Sequence, residues 1–397
     1  MSAVQGLVSQ ADYFNRRVAS DDLTGYYLLQ RGDFAYNKSY SAGFPVGVVR
    51  RLDRYPAGVV SPLYICFRPN TARAHSDYLQ HFLASRILDD DISWIAKEGV
   101  RNHGLLNVGV SDFFSLEFRL PPVSEQCHTA EILNTLDDAI QKTQNLIAKM
   151  KQVKQGLMHD LFTFGINDNG ELRDPERHPE QFKDSPLGRI PQEWEVTSFG
   201  TLCSSSAFGP RFSAAHYADD GSLATLRTTD MDDEGNIDLA TMPRAAIEPS
   251  TFSPHLLQEN DLLISRSGTC GIAAVFPGHD VPVIPGAFLI RFRLIESCKA
   301  RFYRRYFNSG IGRPHLTRLA VGGVQKNIKG SDVLALPVPH LALREADEIV
   351  EVLRSYETAM EHEALKLLKV QLLKVGLSED LLTGRVRIAP LMELTKP

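Results

Sequence analysis

The chain contains an internal repeat, and this repeat limits the folds it can adopt more than any other feature of the sequence. When Glu125 is placed on Glu345, residues 125–165 align with residues 345–385 without a gap. The segment QGLMHDLFT at 155–163 then falls on VGLSEDLLT at 375–383. The identical pairs include Glu125/Glu345, Glu131/Glu351, Leu133/Leu353, Ala139/Ala359, Lys154/Lys374, Gly156/Gly376, Leu157/Leu377, Asp160/Asp380 and Leu161/Leu381. Self-similarity at a fixed spacing indicates a repeated structural unit, so two copies of one unit are expected.

Each copy carries apolar residues at helical spacing, in steps of three, four and seven that place them on one helix face. These pairing residues are Ile132, Leu136, Ile140, Ile147, Met150, Val153, Leu157 and Leu161 in the first copy, and Val352, Tyr356, Met360, Leu367, Val370, Leu373, Leu377 and Leu381 in the second. Neither segment contains a proline, whereas Pro122 and Pro339 stand just upstream, where a helix would begin. Two long helices are predicted, each on the order of 55–60 Å in length.

A single small domain cannot cover an apolar stripe of that length, so each helix needs a partner. The other helix is the most economical one, and we predict that the two pair as an antiparallel coiled coil. The alternative is two unrelated amphipathic helices, each packed on its own domain.

The globular parts also repeat, with looser spacing. Residues 32–39 match residues 260–267, and the β-rich segments 61–67 and 285–292 follow them. Short helical stretches at 78–86 and 302–309 come next, and the motifs at Asn107-Val108 and Asn327-Ile328 close each copy. The predicted class is therefore α/β (α+β), with two similar globular domains separated by the two paired helices.

The predicted domain plan follows the repeat. It places a first globular domain at 1–121, a long helix at 122–165, a linker at 166–185, a second globular domain at 186–339, a second long helix at 340–384 and a tail at 385–397.

Basic residues are concentrated in two stretches, although the net charge of the chain is -5. Residues 291–329 hold ten Lys and Arg against one acid, Glu296, and residues 38–73 hold six against Asp53. Nucleic-acid binding depends on where the charges lie rather than on their sum. One such stretch is often only a solvated face, but its recurrence in both copies favours DNA binding.

Several classes of protein are disfavoured. No apolar run approaches the roughly 18 residues of a membrane span, and residues 1–17 lack the apolar core of an export signal, so a cytoplasmic protein without membrane contact is expected. The five cysteines are far apart and form no C-x-x-C pair, which argues against disulfides and thiolate zinc sites. The motifs of DNA amino-methyltransferases, ATP-binding loops, zinc proteases and serine hydrolases are missing. We expect no catalysis, cofactor or metal in this chain.

Five segments, in this order, resemble specificity subunits of type I restriction-modification enzymes. They are SPLGRIPQEWEV at 185–196, LISRSGTCG at 263–271, GVQKNI at 323–328, LPVP at 336–339 and DLLTGRV at 380–386. Each motif is weak alone, but their order and twofold recurrence are specific, and the resemblance covers nearly the whole chain.

The resemblance implies two target recognition domains, each reading half of a split and asymmetric double-stranded DNA target, with the paired helices fixing the gap. It also implies two modification (methyltransferase) subunits docked on the helices, and restriction subunits added for cleavage. Those partner subunits would use S-adenosylmethionine, ATP and Mg²⁺.

The first copy departs from this pattern. The stretch from the opening of the second domain at 186 to Asp261 is more than twice as long as the whole segment that precedes Asp33. The counterpart of residues 188–229 is largely missing, which puts DNA reading by the first domain in doubt.

DNA contact requires Arg or Lys for phosphates and guanine edges, with Asn, Gln, Ser or Thr completing the hydrogen bonds. The candidates are Asn37, Lys38, Ser39, Tyr40, Arg50 and Arg51 in the first domain, and Arg227, Thr228, Arg266, Ser267, Arg313, Gln325, Lys326 and Asn327 in the second. Each one alone could equally be a surface charge or a turn residue. Two other functions stay open: a coiled-coil scaffold or degenerate specificity subunit without sequence-specific binding, and an enzyme with an unrecognised site.

Overall fold

The chain divides into two compact units. The computed structural model describes residues 1–2, 5–10, 22–96, 106–322 and 326–388. Unit 1 comprises residues 1–145 and 364–397, and unit 2 comprises residues 146–363. Within the described residues, no helix is long and apolar enough to cross a membrane.

Unit 1 is built on a small antiparallel sheet covered by short helices. Strand β2 lies between β3 and β5, so that Tyr36 stands opposite both Val49 and Ile65, and β1 pairs with β4. Tyr36 and Tyr78 lie in the core below this sheet. The elements are β1 (Tyr27–Gln30), β2 (Phe34–Asn37), β3 (Val48–Arg51), β4 (Ala57–Val60), β5 (Ile65–Phe67), α1 (Ser76–Ala84), α2 (Asp89–Ile95) and α3 (Val110–Phe114).

Unit 2 contains a four-stranded antiparallel sheet in the order β13-β12-β15-β9 and a second sheet in the order β11-β10-β14. Strand β12 reads Leu262, Leu263, Ile264 without alternation because both of its faces are covered, one by the main core and the other by a second cluster. The strands are β6 (Phe182–Ser185), β7 (Gly188–Pro191), β8 (Glu195–Ser198), β9 (Cys203–Phe208), β10 (Leu223–Leu226), β11 (Arg244–Ala245), β12 (Leu262–Ser265), β13 (Ala273–Val275), β14 (Val283–Pro285), β15 (Leu289–Leu294) and β16 (Pro337–His340). Its short helices are α5 (Ala300–Asn308), α6 (Gly312–Arg318) and α7 (Gly330–Leu334).

The predicted repeat of the globular parts is confirmed down to an ion pair formed by a buried aspartate. In unit 1, Arg68 donates two hydrogen bonds to Asp33, at 2.6 and 2.8 Å. In unit 2, Arg293 does the same to Asp261, at 2.8 and 2.7 Å. Each aspartate directly precedes the central strand of its sheet and ties that strand to a neighbouring one. The two copies therefore share one local architecture.

The two sheets differ at one edge. In unit 2, β15 pairs with β12 on one side and with β9 on the other. In the described part of unit 1, β5 pairs with β2 alone. This difference agrees with the missing counterpart of residues 188–229.

The long helices are α4 (Val123–Thr163) and α8 (Leu343–Leu382). In unit 1, Leu133 near the start of α4 shares a core with Leu382 at the end of α8. In unit 2, Leu161 near the end of α4 shares a core with Leu353 near the start of α8. The start of one helix meets the end of the other in both units, so the predicted antiparallel pairing is confirmed.

The least exposed stripe of α4, in which every residue is buried or half-buried, follows alternating steps of three and four residues, which is the spacing of a coiled-coil seam. It comprises Leu133, Leu136, Ile140, Thr143, Ile147, Met150, Lys154, Leu157 and Leu161. The aligned positions of the second copy form the corresponding stripe of α8, from Leu353 to Leu381. The two helices therefore use matching positions.

Four of the predicted pairing residues lie outside these two stripes: Ile132 and Val153 on α4, and Val352 and Leu373 on α8. Ile132, Val153 and Leu373 are 37%, 46% and 53% exposed, whereas Leu133 is fully buried. The prediction followed apolar residues wherever they stood. The stripe instead contains Leu133 rather than Ile132. It also contains the polar Lys154 rather than the neighbouring Val153.

Each seam contains a lysine that is paired with an acid of the other helix. Lys154 lies 3.1 Å from Glu357 in unit 2, and Lys374 is paired with Asp137 in unit 1. In the alignment of the two copies, Lys154 matches Lys374 and Asp137 matches Glu357, so the two ion pairs occupy equivalent positions. A paired polar residue in an apolar seam costs stability but selects one register, because any slip would separate these half-buried charges from their partners.

A buried glutamate in the first turn of each long helix holds the chain segment that follows the other helix. Glu345 accepts hydrogen bonds from Ile166 N at 3.0 Å, Arg173 Nη1 at 2.5 Å and Trp194 Nε1 at 2.9 Å. Glu125, its equivalent in the repeat, accepts from Arg387 Nη2 at 2.6 Å and from Ile388 N at 3.0 Å.

The segment 166–185, predicted to be a linker, carries structure of its own in unit 2. Arg173 is buried in its pair with Glu345, and β6 pairs with β7. Composition alone marks this segment as polar, but it cannot show that one of its charges is neutralised by a residue far away in sequence. The other predicted domain boundaries stay predictions.

We expect Leu133→Ala to lower the free energy of unfolding by about 2–5 kcal/mol, because it opens a cavity in the core of unit 1. The neighbouring Ile132→Ala should cost less than about 1 kcal/mol, since that side chain is already partly in solvent. Urea denaturation followed by circular dichroism measures both. Equal losses would show that the stripe is assigned to the wrong residues.

We expect Lys374→Glu to destabilise the helix pair by placing a second acid against Asp137. The double variant Asp137→Lys with Lys374→Glu should recover part of the loss, with a coupling free energy of about 0.5–3 kcal/mol in a double-mutant cycle. Lys369→Glu, on an exposed face of the same helix, is the control. Additive losses from the two single variants would contradict the pairing.

Candidate nucleic-acid interfaces

Four chain segments meet at one end of the sheet in unit 2, and backbone hydrogen bonds join them. Arg266 N donates to Phe288 O at 2.8 Å, and Ile328 N donates to Arg266 O at 2.9 Å. An isolated bridge joins Ser267 to Asn327, and Gly209 N donates to Leu289 O. These segments, at 208–212, 265–271, 286–288 and the described residues 321–322 and 326–328, are called the loop cluster below. The loop cluster brings together Arg266, Ser267 and Asn327, which were all predicted to contact DNA.

The side chain of Arg266 is oriented by two contacts within the loop cluster. Its Nε donates to Asn327 Oδ1 at 3.0 Å, and its guanidinium carbon lies 4.4 Å from the centroid of the Phe208 ring. Lys326 is exposed beside it. Gln325, the remaining candidate of this group, lies outside the described residues.

Three residues of the loop cluster were missed by sequence reasoning. Phe208 and Phe288 are 43% and 47% exposed; the Phe208 ring lies against the Arg266 guanidinium, and Phe288 O accepts a hydrogen bond from Arg266 N. The Cys270 thiol donates to Arg266 O at 3.1 Å, and burial raises the pKa of this thiol. An exposed aromatic residue leaves no periodic signal in a sequence, so only the structure identifies them.

Two other candidate arginines of unit 2 are held by internal contacts. Arg227 pairs with the buried Asp230 at 2.7 Å and also donates to Thr241 O, while Thr228 follows it at the start of a turn. Arg313 donates to Asp233 O at 3.1 Å and so supports the turn at 232–236. These contacts favour a structural role for both guanidinium groups.

The candidates of unit 1 lie around strands β2 and β3. Asn37 Oδ1 accepts from Ser39 N at 3.0 Å, which forms a turn after β2, and Tyr40 beyond it is 62% exposed. Lys38 occupies the position that matches Arg266, and Lys38 O accepts from Leu106 N, as Arg266 O does from Ile328 N.

The two arginines of strand β3 differ in their surroundings. Arg50 lies over the Phe44 ring at 5.6 Å, and burial lowers the pKa of its guanidinium. Arg51 pairs with Asp53 and Asp77, each at 2.6 Å. Arg51 is therefore neutralised locally, and the turn at 37–40 offers half-buried polar side chains and the exposed ring of Tyr40.

We expect Arg227→Ala to lower the free energy of unfolding by about 3 kcal/mol, because it leaves the Asp230 carboxylate buried without its ion pair. Arg266→Ala should cost less than about 1 kcal/mol, since no carboxylate depends on it. Chemical denaturation of both variants tests this. A greater loss for Arg266→Ala would mean that Arg266, too, is a structural residue.

Comparison with known proteins identifies sequences that are similar to this chain. Residues 191–370 match the family described as type I restriction modification DNA specificity domain. The putative MjaX type I restriction enzyme specificity subunit of Methanocaldococcus jannaschii is 24% identical over 378 residues, covering 94% of this chain and 82% of that protein. The MjaVIII specificity subunit of the same organism is 23% identical over 309 residues, covering 74% of this chain and 67% of that protein.

Solved structures show the same fold. One, from work on complex assembly and conformational transition of the type I R-M system, matches with a TM-score of 0.58 at 16% identity, covering 92% of this chain and 85% of that chain. The HsdS subunit from Thermoanaerobacter tengcongensis matches with a TM-score of 0.52 at 15% identity, covering 90% and 82%. The chain is thus similar over most of its length to type I restriction enzyme specificity subunits, and its residues 191–370 match the DNA specificity domain of that family.

Proposed function

We propose that this chain recognises a bipartite, asymmetric double-stranded DNA target and directs partner subunits to it without catalysing a reaction itself. The observation that carries this proposal is the loop cluster of unit 2. There, an oriented arginine, an amide, an exposed lysine and two exposed aromatic rings lie on neighbouring segments. Arg and Lys supply the contacts to phosphates and guanine, and Asn supports base-edge hydrogen bonding.

The repeat supports a second reading surface in unit 1. Lys38 and Tyr40 stand at the turn that corresponds to the Arg266 loop, so that turn would contact the other half-site. Since the side chains at matching positions differ, the two half-sites would differ in sequence. A target without internal symmetry follows from this divergence.

The long helices support a fixed spacing between the half-sites. A 41-residue helix has an axis of about 60 Å. Reading surfaces held by a stiff element of this kind would contact DNA about one or two helical turns apart. The seam lysines favour one register, so the gap should not vary.

The proposed partners follow from the family. Two modification subunits would dock on the helices and restriction subunits would join for cleavage, in the cytoplasm. Partner subunits would supply S-adenosylmethionine, ATP and Mg²⁺, whereas this chain would bind none of them. The restriction enzyme and methyltransferase activities would then belong to the complex.

The test is selection of a randomised double-stranded DNA library by the complex of this chain with its modification subunit. We expect two short, different motifs separated by a constant gap. Inserting one base pair into that gap should weaken binding at least about tenfold, because it displaces one half-site along and around the helix. A scaffold would select no motif, and its DNA affinity would fall with salt equally for all sequences.

A further inference from the structure

Arg266 has the geometry of a base-reading arginine rather than of a phosphate-binding one. Its backbone is fixed on both sides by hydrogen bonds to Phe288 and Ile328, and Nε is bound to Asn327. The Phe208 ring covers one face of the guanidinium. Among the described residues, the side chain of Arg266 makes its hydrogen bond through Nε, and no hydrogen bond or carboxylate engages its two terminal nitrogens. The group is therefore oriented, and its terminal N–H fork is available.

A guanidinium fork matches two acceptors that lie side by side in a plane. The O6 and N7 atoms of guanine in the DNA major groove offer this arrangement, and a bidentate pair to them discriminates against the other bases. An orienting amide and a stacked ring reduce the conformational freedom lost on binding. A phosphate contact needs no such orientation, and the exposed Lys326 suits it as a point charge.

The repeat makes this arrangement specific to one half of the molecule. Lys38 occupies the matching position in unit 1, and its Nζ lies 3.5 Å from Val108 O. An ammonium group has no planar fork, so the corresponding contact in unit 1 cannot be bidentate in the same way. The two half-sites are thus expected to differ in this feature.

We propose that Arg266 reads one guanine, through O6 and N7, in the half-site recognised by unit 2, with Asn327 and Phe208 as positioning residues. This assignment rests on the proposed function of DNA recognition, and it adds the base and the residue that reads it.

The test repeats the selection of the randomised DNA library with a complex in which this chain carries Arg266→Ala and the modification subunit is unchanged. We expect one G·C position of one half-site to become degenerate while all other positions and the gap are kept. The preference for G at that position should fall by roughly 5- to 150-fold. Arg266→Lys should behave in the same way, because it keeps the charge and loses the fork. Asn327→Ala should weaken the preference at that same position and at no other.

Two comparison variants separate base reading from phosphate binding. Lys326→Ala should weaken binding uniformly across sequences and make it less sensitive to salt. Arg177→Ala, at an exposed position outside the loop cluster and outside both basic stretches, should change neither specificity nor salt dependence. If Arg266→Ala behaves like Lys326→Ala, Arg266 binds phosphate and the inference is overturned. If the unaltered complex selects no motif, the proposed function itself fails, and the two failures are thus distinct.

Discussion

The pairing of the two long helices is the constraint on which the rest of the structure depends. Each helix contributes one part to each unit, so neither unit can complete its core without both helices. Apolar burial supplies the driving force, and the Lys154–Glu357 and Lys374–Asp137 pairs favour one register and direction. The buried Glu125 and Glu345 then fix the segment that leaves the end of the opposite helix. Repeating one segment thus gives two equivalent sets of contacts.

Divergence of the globular parts gives the two units different chemistry on this common frame. The same Asp–Arg pair occurs in both units, as Asp33–Arg68 and as Asp261–Arg293, because it ties the central strand of each sheet to a neighbouring segment. The loop residues that follow these strands are not held by the core and are free to differ, as Lys38 and Arg266 do. Strand β9, which borders the loop cluster and carries Phe208, belongs to unit 2 alone among the described residues. A shared scaffold with divergent loops is a physical basis for an asymmetric target.

Periodicity and self-similarity were enough to predict the repeat, the two helices and their antiparallel pairing. They did not separate Ile132 from Leu133, because adjacent apolar residues fit a helical pattern almost equally well and only the facing core decides between them. For the candidate site, residue type grouped Arg266 with Asn327, but it also selected Arg227, whose guanidinium is bound to Asp230. Phe208 was not found, since it lies at the end of β9, far from Arg266 in the sequence. Such pairings depend on tertiary packing, which composition and spacing do not encode.

The central claim is that this chain determines which DNA sequence its complex modifies. The most direct measurement is single-molecule sequencing of methylated bases in a host strain with and without this gene, while the modification gene is kept. The account predicts that methylation of one asymmetric motif, with two short half-sites around a constant gap, disappears with the gene. Methylation that is identical in the two strains would contradict it.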